Sequence, residues 1–292
     1  MSTTEIKEQE VIKELSEWFG KPNCKSFYYD EPLKTIQNGL REPKLKKSIS
    51  LGFEELEFWH SNSFVYYGLT EHDVVNRTPS ATYSYFVLEL TSIIAESFPD
   101  NPPRLSFHKI ANYLANVIIQ KWGNEAENML EWIVKGLDTK FLKGGQSIKV
   151  AAWFIISLAG KAFNKYLATE KYHYPSDMGV YQQVLDCWDT QDTNEVDKMV
   201  SELCDYHLAH ATYGDGKNVM HIQFSFTAEF VYVYEILAWL SLREMSGLRN
   251  PEAYTHSLMH LFINRLPEAI SHYQPTDLYE RVLSRVKEEF KA

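Results

Sequence analysis

The chain has 292 residues, 45% of them apolar and 14% aromatic, enough for one large core or two ordinary ones. At 23% charged residues it reads as globular, and its uncharged stretches fall far below the roughly 18 residues a membrane span needs. A formal net charge of −10 disfavours nucleic acid as a partner, and the three scattered cysteines (Cys24, Cys187, Cys204) exclude a disulfide framework.

The chain opens on alternating charges without the apolar segment of a signal peptide, which predicts a cytoplasmic protein. Ile6, Val11, Ile12, Leu15, Trp18 and Phe19 follow helical spacing, and Gly20 and Pro22 stop that helix. Residues 20–60 read as irregular, with Pro22, Pro32, Pro43 and a basic cluster of Lys44, Lys46 and Lys47. The chain therefore divides into residues 1–60, a helix and irregular segment packed on the main body, and a main domain over 61–292.

A helix is predicted over 80–98, broken by the run from Pro99 to Pro103. Ser106 caps the next helix, which places Ile110, Leu114, Val117 and Ile118 on one face and ends at Gly123. Ala126, Leu130, Ile133 and Leu137 mark its hairpin partner; no second copy follows, which excludes a helical solenoid. Lys143, Gly144, Gly145 and Gln146 read as a turn, since no phosphate-loop lysine and hydroxyl residue follow them.

Further helices are predicted over 150–167 and 181–188, with a polar and aromatic loop between them. Residues 227–245 are apolar almost all round, the mark of a central helix buried by its neighbours. Gly247 stands where a C-terminal glycine cap belongs, Asn250-Pro251-Glu252 looks like a fresh helix start, and a last helix covers 276–290. With little period-two alternation, the fold class is all-α: a multi-helix single-domain bundle of antiparallel helical hairpins around a buried central helix.

Residues 201–216, SELCDYHLAHATYGDG, gather a thiol, carboxylates and imidazoles. Asp192, with Glu195 three residues on, begins a helix like a capping box, and Gly214 and Gly216 end it beyond Thr212. At about 100° per residue, Met199, Val200, Leu203, His207 and His210 share the arc of Val196, with Cys204 at its edge. Lys198, Glu202 and Asp205 point away. His207 and His210 could share an ion, completed by His221 or by His256 and His260, but that spacing is permissive and core histidines are the plainer reading.

Residues 170–216 hold ten carboxylates, including Asp215, against Lys171 and Lys198, a balance of −8 that attracts basic partners. Asp189, Asp192 and Asp197 look too exposed for a glycosidase-like acid pair. Glu229 and Glu235 are better placed for shifted titration, with Arg243 or a helix end as the simplest partner. The sequence carries no catalytic or cofactor-binding signature.

Four stretches carry a resemblance when read together: GLDTKFLKGGQ (136–146), YQQVLDCWDTQDTNEVDKMVSELCDYHL (181–208), YEILAWLSLREMSGLRNP (234–251) and HSLMHLF (256–262). They resemble all-helical immunity proteins of bacterial polymorphic-toxin systems, including those paired with type VI secretion effectors. The likeness covers roughly residues 80–290. It implies a protein that binds a cognate toxin, blocks its active site or substrate path, and performs no chemistry itself.

A basic toxin, such as a nuclease or nucleotide-modifying enzyme, would suit the acidic segment. The expected contact surface is Asp186, Trp188, Asp189, Asp192, Glu195, Asp197, Glu202 and Asp205, with Trp188 as anchor unless it belongs to the core. The alternatives are a helical scaffold for a cellular complex, or a metal-dependent helical enzyme built on His207 and His210.

Overall fold

A computed structural model describes residues 1–142, 149–213, 222–268 and 272–290. Eleven α-helices make up the fold among these residues: α1 (Thr3–Phe19), α2 (Glu31–Gly39), α3 (Ile49–Thr70), α4 (Arg77–Ser97), α5 (Phe107–Ile119), α6 (Gly123–Leu137), α7 (Val150–Ala162), α8 (Val180–Asp186), α9 (Thr193–His210), α10 (Tyr234–Met245) and α11 (Asp277–Phe290). No strand occurs among the described residues; Ala211 and Phe224 form one isolated bridge. The turn at 143–146, Gly214, Asp215, Gly216 and His221 lie outside the described residues.

The centre is a pair of helices. Ten residues of α10, Tyr234 to Arg243, are buried, and α5 is buried at all but two positions. These two pack along each other, with α7 against both. α3 and α4 form the largest helix pair, and their short connection makes them antiparallel. Trp153, Trp239, Phe86 and Phe154 are fully buried, each contributing about 2–3 kcal/mol by leaving water.

The segment expected to be irregular is largely helical. Its prolines mark boundaries: Pro32 lies in the first turn of α2, where its missing N–H is not needed, and Pro43 falls between α2 and α3. α3 runs unbroken through residue 60. Val11, Leu15, Ile36 and Ile49 join the same core as the central helices. Trp18 of α1 meets Phe58 and Trp59 of α3 with ring centroids 5.7 Å apart.

Three other expectations change. Gly123 starts α6 instead of ending α5; the chain turns at Lys121, which takes a φ of 60°. The helix expected over 227–245 divides into a 3-10 turn, Thr227–Phe230, and α10. Asn264 divides it: its Oδ1 accepts from the Val233 N–H at 3.2 Å, and its Nδ2 donates to the Val231 carbonyl at 2.8 Å. Asn250 starts no helix, because its amide donates to the Leu240 carbonyl (2.9 Å) and its Oδ1 accepts from Arg243 (3.0 Å). Gly247 does close α10, at a φ of 76°.

Candidate functional site: an acidic corner and a buried polar cleft

α9 presents the two faces expected of it, except that His210, expected on the inner face beside His207, is only half-buried. Val196, Met199, Val200, Leu203, Cys204 and His207 are buried, whereas Lys198 and Asp205 are exposed. Asp192 caps the helix by accepting from the N–H groups of Asn194 (2.9 Å) and Glu195 (3.4 Å). The box is not reciprocal, since the Glu195 carboxylate accepts from the Thr190 hydroxyl at 2.7 Å. The Cys204 thiol is pushed far up by burial and by the Glu235 charge, so it is no ready nucleophile.

The eight acidic-face residues fall into two groups. Asp186, Asp189, Asp192 and Glu195 surround the α8–α9 corner, the first three exposed. Trp188 sits in that corner half-buried against the core. Its carbonyl accepts from Trp239 Nε1 at 3.0 Å and from Arg243 Nη1 at 2.8 Å. Further along α9, Asp197 accepts from the Thr255 N–H and hydroxyl, both at 3.0 Å, and Asp205 lies 3.3 Å from His256 Nε2. Glu202 stands between them, 3.9 Å from Lys198. Asp197 and Asp205 thus hold the 254–256 segment, a structural task that sequence did not disclose.

His207 is wholly buried. Its Nε2 lies 2.7 Å from the Glu229 carbonyl, which can only accept, so Nε2 carries a proton. Its Nδ1 lies 2.7 Å from Glu235 Oε1, and one proton on that line makes the pair neutral overall. Both nitrogens are thereby engaged. His210 instead faces the Tyr206 carbonyl at 2.7 Å and stacks on the Tyr206 ring. Among the described residues no three histidine, cysteine or carboxylate side chains converge as a metal site.

Sequence reasoning paired the buried glutamates with Arg243 or a helix end, and Glu229 does accept from the Ser225 and Phe226 N–H groups at the start of the 3-10 turn, at 3.2 and 3.3 Å. The structure pairs Glu235 with His207 and Glu229 with His108, whose Nε2 lies 3.0 and 3.1 Å from the two carboxylate oxygens. Burial raises the Glu229 carboxyl, but His108, Lys149 and the Phe226 N–H outweigh it and hold it below the ordinary range. Arg243 binds carbonyls and Asn250 instead.

Sequence reading missed a polar cleft between α1, α3, α5 and residues 225–232. Its outer part has a volume of about 450 Å³ and is walled by Trp18, Phe58 and Phe226, with Glu14 and Glu17 also lining it. Phe58, Asn62 and Phe226 also line a smaller inner space of about 40 Å³, which reaches Glu57, Tyr113 and Glu229. Ser80 donates to the buried Glu57 at 3.1 Å, and burial pushes the Glu57 carboxyl up to about 8 despite Lys109. Lys109 itself pairs with Glu54 at 2.5 Å. A signal was present: Glu57 continues the apolar stripe of Phe53 and Phe64, at spacings of four and seven.

Comparison with protein families, curated proteins and solved structures finds no match for this chain. No helix among the described residues is long and apolar enough to cross a membrane.

Proposed function

We propose that the chain is an immunity protein that captures and neutralises a cognate, basic protein toxin in the cytoplasm. It docks through the acidic face of α8 and α9 and blocks the toxin's active site or substrate path. The observation that carries this reading is the α8–α9 corner. Among the described residues no lysine or arginine forms an ion pair with Asp186, Asp189, Asp192 or Glu195. The backbone beneath them is fixed by the two bonds to the Trp188 carbonyl. Carboxylates without an ion-pair partner, on a hydrogen-bonded frame, steer encounter and lose little entropy on binding. The same field repels nucleic acid, and the chain needs no chemistry of its own for this task.

The test is co-expression with the product of the adjacent gene, followed by purification through a high-salt wash. A stable one-to-one complex, with rescue of cells from that product's toxicity, is expected. The double variant Asp186→Lys, Asp189→Lys should slow association about tenfold and weaken its dependence on salt. An unchanged association rate would remove the surface assignment. Absence of both complex and rescue would remove neutralisation itself.

A further inference from the structure

We propose that the cleft between α1, α3, α5 and residues 225–232 is a receptor for a guanidinium or primary ammonium group carried on a slender chain. It is distinct from the α8–α9 face, and its test needs no toxin. The outer cleft is lined by Trp18, Phe58 and Phe226; Phe226 is 38% exposed, and Lys109 Nζ already stands 5.8 Å from its ring centroid, which shows that the ring accepts a cation. Aromatic faces attract cations, and they do so more strongly when water is displaced. The inner space holds about two or three waters, the scale of a guanidinium or ammonium head.

The inner space is short of a cation. Glu57 is buried, and among the described residues its carboxylate is bonded to Ser80 and enters no ion pair. Lys109, the lysine lining this space, is committed to Glu54. The Tyr113 hydroxyl, on a residue only 1% exposed, has no hydrogen-bond partner among the described residues. A buried hydroxyl left without a partner costs free energy, and an entering N–H donor recovers it. Glu14 and Glu17 line the outer cleft beside a single lysine, Lys21, and Glu229 lies at the floor against His108.

Proton linkage follows. The groups facing Glu57 are Glu54 on its own helix, Ser80 from α4, Lys109 and Tyr113 from α5, and Glu229 and Tyr232 from the 225–232 segment. In this setting the Glu57 carboxyl keeps its proton up to about pH 8. A cation arriving beside it takes the place of that proton. Binding therefore releases a proton at neutral pH and strengthens as the pH rises toward about 8.

The experiment titrates the full chain with agmatine and, separately, with the blocked peptide acetyl-Gly-Arg-Gly-amide, both at matched ionic strength. The Trp18 indole N–H, assigned through Trp18→Phe, is followed by NMR, and proton release by calorimetry in two buffers. A dissociation constant on the order of 1 mM is expected for such small probes. Tyr113→Phe should weaken binding about tenfold while leaving thermal stability equal or higher, because its hydroxyl has no partner to lose. Glu57→Gln should weaken binding similarly and abolish the proton release. Binding of agmatine alone points to a free small cation, and equal or tighter binding of the peptide points to a protein's basic side chain. An unmoved Trp18 resonance with both probes overturns the proposal, as does binding that both variants leave intact.

Discussion

His207 and Glu235 show what one buried pair does for this fold. Both side chains are completely buried, and the imidazole also holds the Glu229 carbonyl of the preceding turn. Removing one partner strands the other in a low-dielectric interior. His207→Ala should therefore cost about 3–5 kcal/mol, read from urea unfolding. Glu57 and Glu229 share one cleft and titrate in opposite directions. The folded Glu57 value, about 8, lies above its ordinary 4.5, so its contribution is full below 4.5 and is lost as the pH rises to about 8. The loss runs at up to about 1.4 kcal/mol per pH unit, and Glu57→Gln should flatten it in urea midpoints across that window. The Glu229 value is depressed, so its contribution is present above 4.5 and fades as the pH falls through its folded value. Sequence placed His207 on the inner face of α9 but could not name its partner. Glu235 is 28 residues away and His108 lies 121 residues from Glu229. Such pairings are set by packing, which local spacing does not encode.

Helix existence was legible wherever periodicity and caps agreed. Ser106 accepts from the Lys109 N–H at 3.2 Å, as its position before α5 predicts, and Asp192 caps α9. Asp192→Ala should cost about 1 kcal/mol and raise hydrogen exchange in the first turn of α9. The break before α10 was not legible, because residues 227–245 contain neither glycine nor proline. Its cause is Asn264, 31 residues beyond Val233, whose amide substitutes for the helical ladder. Asn264→Ala would leave two buried backbone groups unsatisfied. It should destabilise the protein by about 2–4 kcal/mol, with exchange rising first at Val233. Asn250 teaches the same lesson in reverse. An Asn-Pro dipeptide reads as a helix start, yet its side chain is taken by α10.

At the scale of the molecule, an all-α chain with a buried apolar helix was readable from composition and period. That α5 shares the centre equally was not, since Ile110, Leu114 and Val117 look like the single stripe of a surface helix. The polar cleft was hidden for another reason: it is assembled from α1, α3, α5 and residues 225–232, and no one of these carries a motif. The acidic corner was legible as charge, though not as two groups with separate tasks. Arg243 connects that corner to the centre. Its guanidinium reaches the Trp188 carbonyl, the Arg249 carbonyl at 2.7 Å and the Asn250 side chain, joining the α8–α9 corner to α10 and the chain leaving it. The bonds that tie the corner to the centre run through backbone carbonyls and Asn250, not through its carboxylates. Exchanging Asp186, whose carboxylate accepts from Gln182 one turn back on α8, rewrites what the surface displays while leaving the bonds to the Trp188 carbonyl in place. On the reading proposed above, single exchanges at the corner can move it from one partner to another without reaching into the interior.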